Sequence, residues 1–393
     1  MGQAIGKSFF RLEITFFVAL LVGVCTGCRR LGEAFLEHDG RVASPLAAFA
    51  IPVPAGRAGN WLAGDFHCHV RPPDGPREVR SDFDDTVTMA RAGGLDFVVL
   101  VPHVRGKFYE DAANRKWVAE ANRRLTARAR SVSDIVVVPG VEYTDGDSGH
   151  IGVSFVDLAD VLDAREPFFE AVVRQSGILN IHHPYALPMS LPFYRRGLPD
   201  MSWRPFTRGT KIPREIAFVN DRYSAIEVFN HSKSVVDRVV QGDRFIDIRR
   251  ALAKADTEVV RRGHPIALIG GSDNHAFSLR ATTYVFAETR DGPGIANAVR
   301  GAHTCAMGPD ACTFQVRSSV DRRWRIVGDV VKTTTGDAGW IEARWRGDGT
   351  LVANGERIYR GRGPVRLRVT GDSYLRLETA TSFSSHIAIR MMR

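Results

Sequence analysis

Short apolar runs recur between residues 61 and about 290, separated by stretches with helical periodicity. This rhythm limits what the chain can fold into more than any other feature. Leu95–Val101, Ile135–Val138, Ile178–Ile181, Ala225–Phe229 and Pro265–Ile269 are almost uninterrupted in apolar character, as strands buried on both faces are. Between them, residues 84–92 stop at Gly93-Gly94, residues 114–130 and 166–175 read as helices, and residues 244–262 place Phe245, Ile248, Leu252, Ala255 and Val259 on one face before Gly263. Alternating buried strands and helices predict an α/β fold whose parallel sheet has helical crossovers, and the number of strands favours a closed barrel. In such barrels the strand C-termini converge on one face, where the chemistry sits.

The strand ends are where this sequence is unusual. Trp61–Phe66 leads into His67-Cys68-His69, followed by Asp74-Gly75. Strand side chains alternate, so His67 and His69 share a face and Cys68 takes the other. Later strands end at or open with His103, Glu142, His150, His182-His183, Asn230-His231 and Asp273-Asn274-His275. Burying so many polar groups without partners would cost roughly 1–3 kcal/mol each. Divalent metals satisfy imidazole nitrogen and carboxylate oxygen together, and one carboxylate can bridge two ions. The candidate ligands are His67, His69, Asp74, His103, Glu142, His150, His183, Asp273 and His275.

The series Gly64-Asp65-Phe66-His67-Cys68-His69 with Asp74-Gly75, His103, Pro139-Gly140-Val141-Glu142, Gly149-His150, His183-Pro184 and Gly271-Ser272-Asp273-Asn274-His275 resembles the polymerase and histidinol phosphatase (PHP) superfamily. The likeness spans residues 61 to about 290. It implies a distorted (β/α)7 barrel and two or three divalent ions (Zn, Mn or Fe). Gly301-Ala302-His303-Thr304 and Met307-Gly308-Pro309 are similar to the carbaryl-hydrolase-like branch. The resemblance implies that His67, His69 and Asp273 hold one ion, that Glu142 bridges it to a second held by His150 and His183, and that Asp74, His103 and His275 hold a third. His183 is preferred to His182 because it precedes the proline, as in the family. The family commonly has Asp where Pro102 stands, so His103 is expected to be weakly supported and the third ion poorly held.

Such a cluster lowers the pKa of a bound water toward neutrality and accepts the oxygens of a phosphate. The expected activity is phosphate ester hydrolysis by a metal-bound hydroxide, with His67, His69, Glu142, Asp273 and His275 at the reacting centre. Carboxylic or carbamate esters would suit the same site. A non-catalytic envelope protein with a degenerate site is the opposing reading, and Pro102 is its support. Arg105, just after His103, is the candidate for contacting an anionic substrate. Residues 185–222, rich in aromatic residues and arginine, suggest a specificity loop beside the site. His231, His264 and His303 are not expected to be ligands.

The N-terminus gives the chain an address. Lys7 and Arg11 precede the apolar run Ile14–Val24, which is too short to span a bilayer and fits the core of a secretory signal. Cys25-Thr26-Gly27-Cys28 resembles a bacterial lipobox with Cys28 as the lipidated residue. The expectation is an exported protein, periplasmic or held at the outer membrane by a lipid. Residues 29–60, with Ile51-Pro52-Val53-Pro54, read as a tether, and residues 61–300 as the barrel. Residues 301–393 read as a separate sandwich-like unit, with short alternating strands such as Val365–Val369 evident from about 312. Cys305 and Cys312 can pair in an oxidising compartment. The formal charge of +9, carried mostly by arginine, favours anionic substrates or membrane surfaces. No zinc-finger or helix-turn-helix pattern points to nucleic acid.

Overall fold

The computed structural model describes residues 51–392, except 52, 54–55, 192–193, 210–211, 235–245, 276–278, 281 and 335–338. The expected signal, Cys28 and most of the tether lie outside the described residues. The first part of the fold follows the predicted rhythm. It comprises β1 (Asn60–Cys68), α1 (Phe83–Ala92), β2 (Phe97–Leu100), β3 (His103–Arg105), α2 (Ala112–Ala129), β4 (Val136–Asp145), β5 (Gly149–Ser154), α3 (Leu158–Asp163), α4 (Phe168–Arg174) and β6 (Ile178–Ile181). Then come β7 (Met189–Leu191), β8 (Tyr194–Leu198), α5 (Arg204–Thr207), α6 (Arg214–Arg222), β9 (Ala225–Asn230), α7 (Ile248–Arg262), β10 (Ala267–Gly271), β11 (Thr283–Ala287), α8 (Gly292–Arg300) and β12 (Thr304–Ala306).

Local chemistry sets these boundaries. Asp82 caps α1 through a reciprocal pair with Asp85, and Asp111 and Asp247 accept from the first turns of α2 and α7. Helix α7 stops at Gly263, whose φ of 75° suits glycine.

Seven strands form a continuous path in the order β10-β9-β6-β5-β4-β2-β1. Pairs β1/β2, β2/β4, β6/β9 and β9/β10 are parallel, as the alternation predicts. Strand β5 departs from it, running antiparallel to both neighbours. The reason is the turn: β4 runs on past Pro139 to Asp145, and the residues before Gly149 are too few for a crossover helix. The two ends of the path are not joined by a full ladder. They meet at one seam, where Asp273 N–H donates to the His67 carbonyl at 2.7 Å and His69 N–H to that of Asn274 at 3.2 Å. The segment expected to form a specificity loop contains the β7/β8 hairpin and α5 and α6.

Beyond β12 the chain is all β: β13 (Gln315–Ser318), β14 (Arg325–Ile326), β15 (Val330–Thr333), β16 (Trp340–Arg344), β17 (Asp348–Ala353), β18 (Glu356–Arg362), β19 (Val365–Arg368), β20 (Ser373–Glu378), β21 (Phe383–Ser384) and β22 (Ile387–Met391). Strands β14, β13, β16 and β19 form a separate antiparallel sheet. The others extend the main sheet through β1–β11–β12–β21–β20, so hydrogen bonding crosses residue 300, where the sequence places a domain boundary. One apolar core unites Trp61, Tyr284 and Phe286 with Phe314, Ile341, Leu377 and Ile389. Between α7 and β20, Arg376 makes a two-pronged contact with Asp256 at 2.6 and 2.8 Å, and His386 Nε2 lies 2.7 Å from the same carboxylate. The lead-in is tied down as well: Ile51 is buried, and Arg57 reaches Asp329 at 2.6 Å. Cys305 and Cys312 form a disulfide, and Cys68 is a buried free thiol. No helix among the described residues is long and apolar enough to cross a membrane.

Candidate metal centre

Glu142, on β4, is the hub of the site. Its Oε1 lies 2.7 Å from His182 Nδ1, 3.1 Å from His150 Nδ1, 3.2 Å from His67 Nε2 and 3.7 Å from His183 Nε2. Its Oε2 lies 3.3 Å from His103 Nε2 and 3.7 Å from His69 Nε2. The hairpin explains part of this: β4 continues past Glu142 and returns as β5, which carries His150 back beside it. The seam brings in Asp273, whose Oδ1 lies 3.3 Å from His69 Nε2, 3.5 Å from His67 Nε2 and 3.4 Å from His275 Nδ1. All nine expected ligands thus converge, and only His103 and His275 are more than marginally exposed.

The surroundings aim the rings. His67 Nδ1 faces Glu227 Oε1 at 3.1 Å. His69 Nδ1 faces Asp74 Oδ2 at 3.3 Å, and His103 Nδ1 faces Asp74 Oδ1 at 3.2 Å. A carboxylate at Nδ1 holds a proton there and turns the Nε2 lone pair outward. His67 and His69 bring their Nε2 atoms to 3.2 Å of each other in this way. Two converging lone pairs repel unless a cation or a proton stands between them, and this donor set fits a divalent ion. Among the described residues, five groupings of three have potential ligand atoms within 4.8 Å: His67–His69–Glu142, His67–His183–Asp273, Glu142–His150–His183, His69–His103–His275 and Asp74–Glu78–His103.

Charge follows from this packing. Burial disfavours the charge on Glu142, but His150 and His67 hold its carboxyl well below the usual range. Asp273 is likewise low, with Lys233 the largest influence opposing burial; Lys233 Nζ lies 2.6 Å from Asp273 Oδ2. His67 is pushed well above an ordinary imidazole: burial opposes this, and Glu227, Asp273 and Glu142 override it. Burial takes His183 down to about 4 and His275 down to about 3, so both rings remain neutral and open to a cation. His183 and Asp273 hold positive φ of 24° and 52°. Backbone hydrogen bonds pin both residues, His183 N–H to Glu227 Oε2 at 2.6 Å and Asp273 N–H to the His67 carbonyl.

Ring orientation and strand position refine where the residues singled out in the sequence lie. Asp74 lies against the Nδ1 edges of both His69 and His103 and is grouped with His103 and Glu78, while His69 is grouped with His103 and His275. Asp74 also accepts from His103 N–H at 2.9 Å, so it provides the support that Pro102 does not. His182 contacts Glu142 more closely than His183 does, and its ring stacks on His67 at 3.7 Å. Arg105 is exposed, two residues beyond His103 on the same strand. His303 pairs with Asp329, and His264 is exposed beside its own chain neighbour's carbonyl.

Sequence reasoning missed Glu227, Asp65, Asn230 and Lys233. Glu227 interrupts the apolar strand Ala225–Phe229 and is fully buried, a signal visible in the sequence. Asp65 is equally buried, accepts from the backbone of His67 and Ser272, and is pushed up to about 6 by burial. Asn230 donates to Glu227 and Asp273, a role with no signal in its spacing.

No family model and no curated protein matches this chain. Solved structures with a likeness to it include a two-domain protein from Bacteroides vulgatus ATCC 8482 described as containing a predicted PHP-like metal-dependent phosphoesterase. It is 16% identical, with a TM-score of 0.40 over 86% of this chain and 97% of that one. PsfC from Pseudomonas syringae PB-5123 is 20% identical, with a TM-score of 0.34 over 57% of this chain and 82% of that one. The lesion-specific endonuclease PfuEndoQ from Pyrococcus furiosus is 12% identical, with a TM-score of 0.36 over 66% and 62%. The description of the first names the superfamily that the sequence motifs resemble.

Proposed function

We propose that the chain is a metal-dependent hydrolase of phosphate esters in the PHP superfamily. One observation carries this reading: a single buried carboxylate, Glu142, is ringed by six imidazoles within 3.7 Å. A structural core has no use for such an arrangement, and a cation centre requires it. When bound, divalent ions supply a water made acidic enough to yield hydroxide near neutral pH and a positive surface for phosphate oxygens.

The chain's own residues do the rest. His67, His69, Glu142 and Asp273 provide one set of donors; Glu142, His150 and His183 provide another; His69, His103 and His275 provide a third. Glu227 and Asp74 fix the rings from behind, so the donors need little rearrangement to close on a cation. Lys233, against Asp273, and exposed Arg105 place positive charge near the cluster, which favours an anionic ester. The support Asp74 gives His103 at 2.9 and 3.2 Å speaks against the degenerate site that Pro102 suggests. The Cys305–Cys312 disulfide agrees with the exported, lipid-anchored location we propose from the N-terminus.

The test combines elemental analysis with turnover of bis-p-nitrophenyl phosphate, p-nitrophenyl phosphate and a matched carboxylic ester. The expected result is bound metal, phosphate ester cleavage, and loss of activity on chelation and in His67→Ala/Glu142→Ala. Activity that survives either treatment refutes the mechanism. Cleavage of the carboxylic ester alone moves the substrate to the carboxylic and carbamate class.

A further inference from the structure

The C-terminal region carries a second feature unrelated to the metal centre. Residues 301–393 contain fifteen Lys and Arg against nine Asp and Glu, so most of the net positive charge of the chain lies there. In the separate sheet, directly opposed residues share a face. Gln315 faces Arg344, Arg317 faces Glu342, Glu342 faces Arg366 and Trp340 faces Arg368. Val316, Ile341 and Ala343 turn inward to the core. The outer face therefore gathers Arg317, Arg344, Arg366 and Arg368, and Glu342 is its acid among the described residues. Arg344, Arg366 and Arg368 are exposed.

The tryptophans decide what this face can recognise. Arg317 and Arg344 stack over Trp324 at 4.6 and 3.9 Å, and Arg366 stacks over Trp340 at 4.3 Å. Sugar rings and nucleobases need an open aromatic face to stack on, and here arginines cover the indoles. The covered rings instead fix the guanidinium groups in position, spreading positive charge over a broad strand surface. That arrangement complements a plane of phosphates better than a single ligand. We propose that the outer face of the β14-β13-β16-β19 sheet docks on a membrane surface rich in anionic phospholipid headgroups. An N-terminal lipid anchor and a basic patch would together form the two-signal attachment that stable membrane association needs.

The test is co-sedimentation of the full chain with phosphatidylcholine vesicles, with and without phosphatidylglycerol, so that attachment by the N-terminus is common to both arms. The protein is expected to bind better to the anionic vesicles, and the advantage to shrink as salt rises. Each arginine near a charged surface contributes roughly five-fold to partitioning. Arg344→Gln/Arg366→Gln/Arg368→Gln should then lose on the order of a hundred-fold of that advantage, while the corresponding Lys variant keeps most of it. Arg366→Gln/Arg368→Gln, confined to an edge strand, serves if the triple variant does not fold, with an expected loss of roughly twenty-five-fold. Equal binding to both vesicles, an advantage unchanged in the Gln variants, or tighter binding to heparin or duplex DNA than to anionic vesicles at equal salt would overturn the proposal.

Discussion

Glu227 Oε1 lies 3.1 Å from Nδ1 of His67, while Nε2 of the same ring points to Glu142 and His69. The carboxylate thus sets the ring's proton and direction without belonging to any of the five ligand groupings. Removing such an outer partner typically weakens metal affinity by about 10–100-fold. Glu227→Ala should do so in a competition assay against a chromophoric chelator, and Glu227→Gln should lose less because its amide oxygen can still accept. Wild-type affinity in Glu227→Ala would show that the ring is held by packing alone.

Metal uptake should release protons. In the metal-free protein His67 holds a proton more tightly than an ordinary imidazole, and that proton occupies the edge a cation needs. Isothermal titrations in buffers of different ionisation enthalpy should report release of about one proton per chain near neutral pH. The raised pKa also fixes a sign. Its contribution to the metal-free fold is complete below the ordinary imidazole range and is lost as pH rises through the folded value. Metal-free protein should therefore lose this increment of stability on the alkaline side, measured by urea unfolding across pH.

Gly271 ends β10 with no room for a side chain. A Cβ there would collide with Glu227 Oε1 and with Cβ of His67. Gly271→Ala should therefore displace the pair behind the metal centre, reducing bound metal at least ten-fold, an effect of the size seen when outer partners are lost. Elemental analysis after dialysis, with circular dichroism to confirm folding, checks this.

Asp256 joins Arg376 and His386 where α7 meets β20, and all three are buried. Asp256→Ala takes the two-pronged partner from the buried Arg376 guanidinium, which keeps only Glu378 at 2.7 Å, and should cost about 3 kcal/mol in urea unfolding. The Asp256 carboxyl is held low by Arg376 and His386 against the effect of burial, so its contribution is present above the usual carboxylate range and is lost as pH falls. Loss of metal binding in this variant while the chain stays folded would show that the contact also supports the barrel.

What the sequence made legible was the periodic part. Apolar runs such as Phe97–Leu100 and Ala267–Gly271 became parallel strands, and their polar ends became the site. The β4/β5 hairpin was obscured because a buried antiparallel strand is as apolar as a parallel one; only the short Asp145–Gly149 turn distinguishes them. The roles of Asp74 and His182 were hidden for another reason: spacing identifies which residues can reach a site, whereas ring orientation depends on distant carboxylates. Alternation in segments such as β19 marks the tail as β in the sequence, but its pairing with the main sheet through β11 and β12 is long-range and leaves no local mark.

The seam between β1 and the segment after β10 has a consequence for assembly. Glu142 and His150 lie on β4 and β5 and His183 just past β6, all in the middle of the chain, so their grouping does not depend on the seam. The groupings that use Asp273 or His275 with His67 or His69 do. The centre accordingly has one half held within the sheet and one that exists only across the seam, and a cation in the second would fasten β1 to the segment after β10.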